Sequence, residues 1–224
     1  MSTRFAEENL KAALKLAAAD LPIFPAVITW NEAAQKNDKR PAISQWQSRA
    51  TTDAEMIKSW WATFHGAELM PGIELGRAGL LVVDLDRHAG AADGVAAFRT
   101  LAAGQKLPLT PITRTASNGY HVYFKQLEGG PLGNGTGDLP AGCDVRGRGG
   151  WVVGPGAISA HGAWRPVADR PRLVETGAAI TAVPRWLYDI IKPPAAEVLR
   201  EATTSSAKYG ALEIGGLPVV ASVN

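Results

Sequence analysis

One cysteine in 224 residues, Cys143, leaves no partner for an internal disulfide and no thiolate set for a zinc site. It suits a reducing compartment. An excess of one charge is also missing. The 23 basic and 21 acidic residues give a net charge of +2, so the chain has no global positive field to draw it to nucleic acid, and any such contact must come from a local cluster. Long hydrophobic runs are absent: no stretch approaches the length that spans a bilayer. Arg4, Glu7, Glu8 and Lys11 precede any apolar run, so no secretory leader is read. No internal repeat is visible. These absences set the expectation of a soluble, cytoplasmic protein without a membrane partner. The 46% of hydrophobic residues is enough to build the core of one large domain, or of one domain with an appendage.

The apolar spacing of Leu10, Ala13, Leu14 and Ala17 predicts an amphipathic helix over 5–19, with Pro22 beyond its end. Residues 23–28 read as extended and 31–39 as a polar loop. Thr52-Asp-Ala-Glu55 reads as a capping box opening a helix that carries Met56, Ile57, Trp60, Trp61 and Phe64. Residues 72–76 and 79–86 read as strands joined by a tight Arg77-Ala78 turn, a hairpin. A helix is expected over 92–103. From Pro111 onward, short strands over 112–115, 120–124, 143–146, 151–153 and 163–166 are separated by Gly and Pro clusters, with 129–142 a mobile glycine-rich loop. This β-rich part ends near Arg172, and a short helix is expected over 184–191. Residues 1–192 are taken as one domain and the Ala- and Ser-rich 193–224 as a helical tail or linker.

Chemistry concentrates in four stretches. In Gly79-Leu-Leu-Val-Val-Asp-Leu-Asp86 a buried strand ends in two carboxylates. Alternation points Asp84 and Asp86 the same way, roughly 6.6 Å apart along the backbone, and turns Leu85 into the core. Such a pair suits a hard cation such as Mg²⁺ or Mn²⁺, although D-x-D after an apolar run also closes turns and caps helices. In Thr115-Ala-Ser-Asn-Gly-Tyr-His-Val-Tyr-Phe124 a Ser-Asn-Gly turn opens a strand with Tyr120, Val122 and Phe124 on one face and His121 and Tyr123 on the other. Free turn amides, the Ser117 hydroxyl and His121 can hold an anion such as phosphate; a histidine bonded to a hairpin carbonyl is the plainer reading. In Gly142-Cys-Asp-Val-Arg-Gly-Arg-Gly-Gly150, Asp144 and Arg146 share a face and Arg148 follows in a glycine-flanked turn, which reads as a metal ligand beside a polyphosphate clamp or as an ion pair closing a turn. Asn37-Asp-Lys-Arg-Pro-Ala-Ile-Ser-Gln-Trp46 sets a basic pair, Lys39 and Arg40, on a polar loop.

Taken in order, Lys-Arg-Pro…Trp, Gly-Ile-Glu-Leu-Gly, Leu-Leu-Val-Val-Asp-Leu-Asp, Thr-Ala-Ser-Asn-Gly-Tyr-His-Val-Tyr-Phe and Gly-Cys-Asp-Val-Arg-Gly…Gly-Gly-Trp-Val-Val-Gly-Pro-Gly resemble the bifunctional primase–polymerase (prim-pol) domain of the archaeo-eukaryotic primase superfamily, over residues 10–166. The resemblance implies an α+β prim-pol fold: an N-terminal α/β portion packed on a β-rich catalytic core related to the RNA-recognition motif, a short C-terminal helical tail, and an active site in the cleft between the two parts. It implies Asp84, Asp86 and Asp144 as catalytic metal ligands for a two-metal Mg²⁺ or Mn²⁺ site, Ser117 and His121 on the triphosphate, and Lys39, Arg146 and Arg148 assisting there. Asn118 stands where many relatives have glycine, a position that asparagine tolerates in a left-handed conformation. The implied activity is template-directed nucleotidyl transfer on single-stranded DNA with a primer and dNTP or NTP, in plasmid, phage or mobile-element replication, with a replicative helicase in cis or in trans. Template is then read by base pairing, which needs only backbone contacts; Trp30, Trp46 and Trp61 are candidates for lining the strand path, though packing roles suit each. The alternatives are a catalytically weak DNA- or nucleotide-binding replication-initiation module, a D-x-D glycosyltransferase, which leaves His121 and Asp144 unexplained, and a nuclease, which needs no triphosphate clamp.

Overall fold

The computed structural model describes residues 3–33, 36–64, 68–87, 90–128, 130–175 and 180–192. The tail expected over 193–224 lies outside them. In chain order the elements are α1 (Thr3–Ala18), β1 (Ile23–Asn31), β2 (Lys36–Pro41), α2 (Trp46–Arg49), α3 (Ala54–Thr63), β3 (Leu69–Glu74), β4 (Leu80–Leu85), α4 (Gly94–Leu101), β5 (Ile112–Arg114), β6 (Tyr120–Lys125), β7 (Cys143–Arg146), β8 (Trp151–Val153), β9 (Ile158–Ser159), β10 (Gly162–Ala163), β11 (Arg165–Pro166) and α5 (Arg185–Ile191). The result is a mixed α/β, sheet-rich domain with few helices. Among the described residues no helix is long and apolar enough to cross a membrane.

Two antiparallel sheets organise the domain, one in the order β2-β1-β3-β8 and one in the order β11-β5-β6-β4-β7. β4 shows how they are held together. All six of its residues are buried, because both of its faces are covered. Leu80 and Val82 join the core built by Ala13, Leu16 and Ala17 of α1 and Ile57 and Trp60 of α3. Leu81, Val83 and Leu85 point the other way, into a second core with Val95 and Phe98 of α4 and Leu187 and Ile191 of α5. Burying one such aliphatic side chain contributes roughly 1.5–3 kcal/mol, so β4 is anchored from both sides. Asp84 follows Leu80 and Val82 in the inner row.

The expected hairpin of residues 72–76 and 79–86 is not formed. β3 and β4 lie in different sheets. Residues 75–79 make a corner, closed by Leu80 N–H donating to the Leu75 carbonyl at 3.0 Å, and the buried Glu74 carboxylate accepts from Gly76 N–H at 3.0 Å and Arg77 N–H at 2.7 Å. A parallel corner at 147–150 takes the chain from β7 to β8, and Leu75 N–H donates to the Gly150 carbonyl at 3.2 Å. Two strand pairs, β4 with β7 and β3 with β8, thus turn together from one sheet into the other.

Three smaller readings also change. Residues 36–41, expected within a polar loop, form β2, paired with β1 from Ala26↔Pro41 to Asn31↔Lys36. The strand expected over 163–166 is divided between β10 and β11, which pair with β9 and β5 respectively. The helix over 54–63 is capped by Asp53, not Thr52: the Asp53 carboxylate accepts from Glu55 N–H at 2.8 Å and Met56 N–H at 3.1 Å. Losing such a cap costs about 1 kcal/mol. Asp53→Ala is therefore expected to lower the melting temperature by roughly 2–4 °C, as read by circular dichroism; Thr52→Ala, with no cap bond to lose, should move it less.

Candidate active site

Strand register assembles the site. On β4, Asp84 stands opposite His121 of β6 on one side and Asp144 of β7 on the other. Directly paired residues of antiparallel strands project from the same face, so the three side chains form a row across the sheet. Arg146, two residues beyond Asp144, shares that face. Its Nη2 donates to Asp144 Oδ2 at 2.7 Å and its Nε lies 4.0 Å from Asp84 Oδ2. His121 Nε2 lies 3.5 Å from Asp84 Oδ1, and its Nδ1 lies 3.5 Å from the Tyr123 hydroxyl.

This row faces a cavity of about 310 Å³ lined from both sheets. The five-stranded sheet contributes Asp84, His121 and Arg146; the four-stranded sheet and its neighbours contribute Lys39, Trp46, Trp151, Val152 and Val153; Asn134, Gly149 and Gly150 complete the lining. Lys39 sits on β2 opposite Ile28, with its ammonium 5.8 Å from the centre of the Trp164 ring. A cation over an indole face is held by the ring quadrupole, so Lys39 is placed by the strand and by an aromatic support.

His121 is fully buried. Desolvation, reinforced by the Lys39 charge, pushes its pKa down to about 3. The imidazole is therefore neutral at physiological pH in the ligand-free site. It offers one N–H and one lone pair, while the positive charge comes from Lys39 and Arg146. Burial also pushes the Cys143 thiol up to about 11, and its Sγ–H donates to the Gly94 carbonyl at 3.2 Å; this cysteine is a packing residue.

Of the residues singled out in the sequence, Lys39, Asp84, His121 and Arg146 line the cavity. Asp144 is tied beside them through Arg146, and Asp86 is the first residue after β4. Asp86 N–H donates to the Gly142 carbonyl at 2.8 Å and its carbonyl accepts from Gly94 N–H at 2.9 Å, which fixes the end of the strand. Ser117 lies in the turn before β6, its hydroxyl 3.2 Å from Thr115 Oγ1. In that turn Asn118 has φ 65°, the left-handed conformation expected of it. Arg148 is exposed at the 147–150 corner and is not among the lining residues. The glycines around it serve the corner: a Cβ on Gly147 would strike the Leu132 carbonyl oxygen and one on Gly150 the Asn134 side chain.

Three aspartates are the hard oxygen donors that Mg²⁺ and Mn²⁺ take, so the donor set fits these ions in kind. Their spacing is looser. Among the described residues no three Asp, Glu, His or Cys side chains stand close enough together to hold an ion, and Arg146 occupies Asp144.

Sequence reasoning missed Asn134, Trp151 and the aliphatic pair Val152 and Val153 as lining residues. Asn134 lay inside a stretch read as a mobile loop. The bridges Gly133↔Arg148 and Gly135↔Val145 pin that stretch to the 147–150 corner and to β7, and Gly147 N–H donates to Asn134 Oδ1 at 3.1 Å. Nothing local in the sequence marks such a pairing.

Carboxylates beside Arg146 on one sheet face, with Lys39 and an aromatic side across the cavity, are a charge pattern that suits the handling of phosphate. The family model described as bifunctional DNA primase/polymerase, N-terminal, matches residues 13–186, and the chain belongs to that family. No curated protein matches the chain.

Proposed function

We propose that this chain is a template-directed primase and DNA polymerase that makes or extends primers on single-stranded DNA during plasmid, phage or mobile-element replication, with residues 1–192 as the catalytic domain. The observation that carries this reading is the row His121–Asp84–Asp144 across β6, β4 and β7, facing a cavity that also holds Lys39 and Arg146. In the reaction a 3′-hydroxyl oxygen bonds to the α-phosphorus of a nucleoside triphosphate, the α–β bridging bond breaks, and pyrophosphate leaves. Asp84, Asp86 and Asp144 would hold the divalent cations, Mg²⁺ or Mn²⁺, whose chemistry is to activate the attacking hydroxyl and stabilise the leaving group. Lys39 and Arg146 offset the negative charge of the triphosphate. His121, neutral, donates an N–H to a phosphate oxygen. The turn amides around Ser117 and the Arg148 guanidinium at the corner would meet phosphates at the rim. A helicase in cis or in trans would supply the unwound template.

A second reading, a nucleotide-binding replication module of weak activity, is favoured by one observation: Arg146 holds Asp144 at 2.7 Å and the carboxylates do not converge. One experiment separates the two. The protein is incubated with labelled nucleotides and Mg²⁺ or Mn²⁺ on unprimed single-stranded DNA and, in parallel, on an annealed primer–template. Short products on the unprimed strand are the expected result. Extension of the primer alone would make it a polymerase that does not initiate. No product in either lane, with metal-dependent nucleotide binding intact, would establish the binding module instead.

A further inference from the structure

We propose that Trp46 and Trp151 form a base-stacking wall, so that the cavity holds its nucleotide from two sides: the polyphosphate on Lys39, His121 and Arg146, and the base on an indole. The inference rests on the nucleotide-handling role above and adds to it the part of the site that separates a nucleotide from a bare polyphosphate. Both tryptophans line the same cavity as the charged row. They come from the opposite sheet's side: Trp151 is the first residue of β8, in register with Glu74 of β3, and Trp46 opens α2 just beyond β2.

The packing of the two indoles distinguishes them from core residues. Trp164, a true core residue, is 1% exposed. Trp46 and Trp151 are only half-buried. Each is backed by the fully buried Phe24, with ring centroids 4.8 Å apart for Trp46 and 5.3 Å for Trp151, and the two indoles stand 6.5 Å apart at 63°. Phe24 can take that place because the residue beside it is glycine: a Cβ on Gly72 would fall 2.5 Å from the Phe24 ring. Each indole is thus supported from behind and exposes part of its surface to the cavity. The turn that delivers Trp46 is unusual too, since Gln45 adopts φ 52°, a left-handed conformation that a non-glycine residue holds only when its surroundings enforce it.

The chemistry of the two sides narrows the ligand. Two indoles packed on Phe24 and lining the same cavity as two cations and a buried imidazole match a molecule with an aromatic ring at one end and a polyanion at the other, a nucleoside triphosphate. A cavity of about 310 Å³ is at the small end of the roughly 300–1,000 Å³ of ligand sites, which suits one such molecule. Stacking on an indole is indifferent to which base is present, because every base has a π-face. That indifference is what a template-directed enzyme needs from the protein, since selection among the four bases belongs to pairing.

The test compares affinities for deoxynucleoside triphosphates and for inorganic tripolyphosphate, both with Mg²⁺, by isothermal titration calorimetry on the full chain. Wild type should bind the nucleotides on the order of tenfold more tightly than tripolyphosphate, the size of a base–aromatic stack. Trp46→Ala or Trp151→Ala should remove that advantage for all four bases alike, leaving tripolyphosphate affinity unchanged. Trp46→Phe should retain most of it. Tripolyphosphate binding also reports that the variant's charged side is intact. An advantage that survives in both alanine variants would overturn the wall. So would loss of tripolyphosphate affinity along with nucleotide affinity in Trp46→Ala and Trp46→Phe, since the tryptophans would then be structural. Wild type that binds neither ligand would overturn the nucleotide-handling role itself, and the wall with it.

Discussion

Replacing Asp84 by asparagine or alanine is expected to reduce nucleotide incorporation by on the order of a thousandfold or more, while the domain stays folded. Among the described residues Asp84 is the one carboxylate that lines the cavity, and it lies 3.5 Å from His121 and 4.0 Å from Arg146. A carboxylate that helps place charge against a transferring phosphoryl group contributes several kcal/mol to the transition state, and each 1.36 kcal/mol is a factor of about ten in rate. Little stability should go with it. Arg146 keeps Asp144 at 2.7 Å, and the neighbouring Val82 and Val83 remain fully buried in their two cores. The melting temperature should stay within a few degrees of wild type, most closely for the isosteric Asp84→Asn. Primer extension followed by gel analysis reads the first quantity and calorimetry the second. Full activity in a folded Asp84→Asn protein would remove the carboxylate row from the chemistry.

Gly94→Ala is expected to give the opposite pattern, a large loss of stability at a position outside the cavity. A Cβ on Gly94 would fall inside the van der Waals shell of the Gly142 carbonyl oxygen and 3.1 Å from the Asp86 amide nitrogen. Both contacts are backbone, so neither can rotate away. That carbonyl is the acceptor for Asp86 N–H, and Gly94 N–H donates to the Asp86 carbonyl at 2.9 Å. One added methyl therefore forces apart the first turn of α4, the start of β7 and the end of β4. Overpacking of this kind typically costs about 1–3 kcal/mol, which for a domain of this size lowers the melting temperature by roughly 2–12 °C. Incorporation should fall as well, because Asp86 moves with the strand end. A variant with wild-type melting temperature would show that the α4–β7 contact is looser than its geometry indicates.

The inner row of β4 was legible in the sequence because two local rules sufficed. Five apolar residues around Asp84 make a buried strand, and a period of two sends Asp84 one way and Leu85 the other. The same parity grouped His121 with Tyr123 and Asp144 with Arg146. What parity does not carry is partnership. β3 and β4 are neighbours in sequence, and hairpin logic joined them, but β3 pairs with β1 and with the distant β8. β2 was invisible for a different reason. Lys-Asn-Asp-Lys-Arg-Pro has no alternation to read. It is an edge strand held by backbone bonds to β1, and lysine and proline are residues that blunt an edge against further pairing. The misread cap at residue 53 was a choice between adjacent oxygen-bearing side chains, Thr52 and Asp53, that only backbone geometry decides. At the site itself, residue types pointed to the charged side. The aromatic side needed the strand order, since Trp46 and Trp151 are distant in sequence.

The two corners at 75–79 and 147–150 act together as a ruler. They lie side by side, joined by the Leu75–Gly150 hydrogen bond, and they carry the chain in opposite directions between the sheet that bears Asp84, His121 and Arg146 and the sheet that bears Trp151. The gap between the two walls is thus set by covalent chain length and not by the side chains inside it. One residue added to either corner would shift its strand by about 3.3 Å and reverse which of its side chains face inward. Substitutions can retune what the cavity prefers, while its span is locked into the spacing of the backbone.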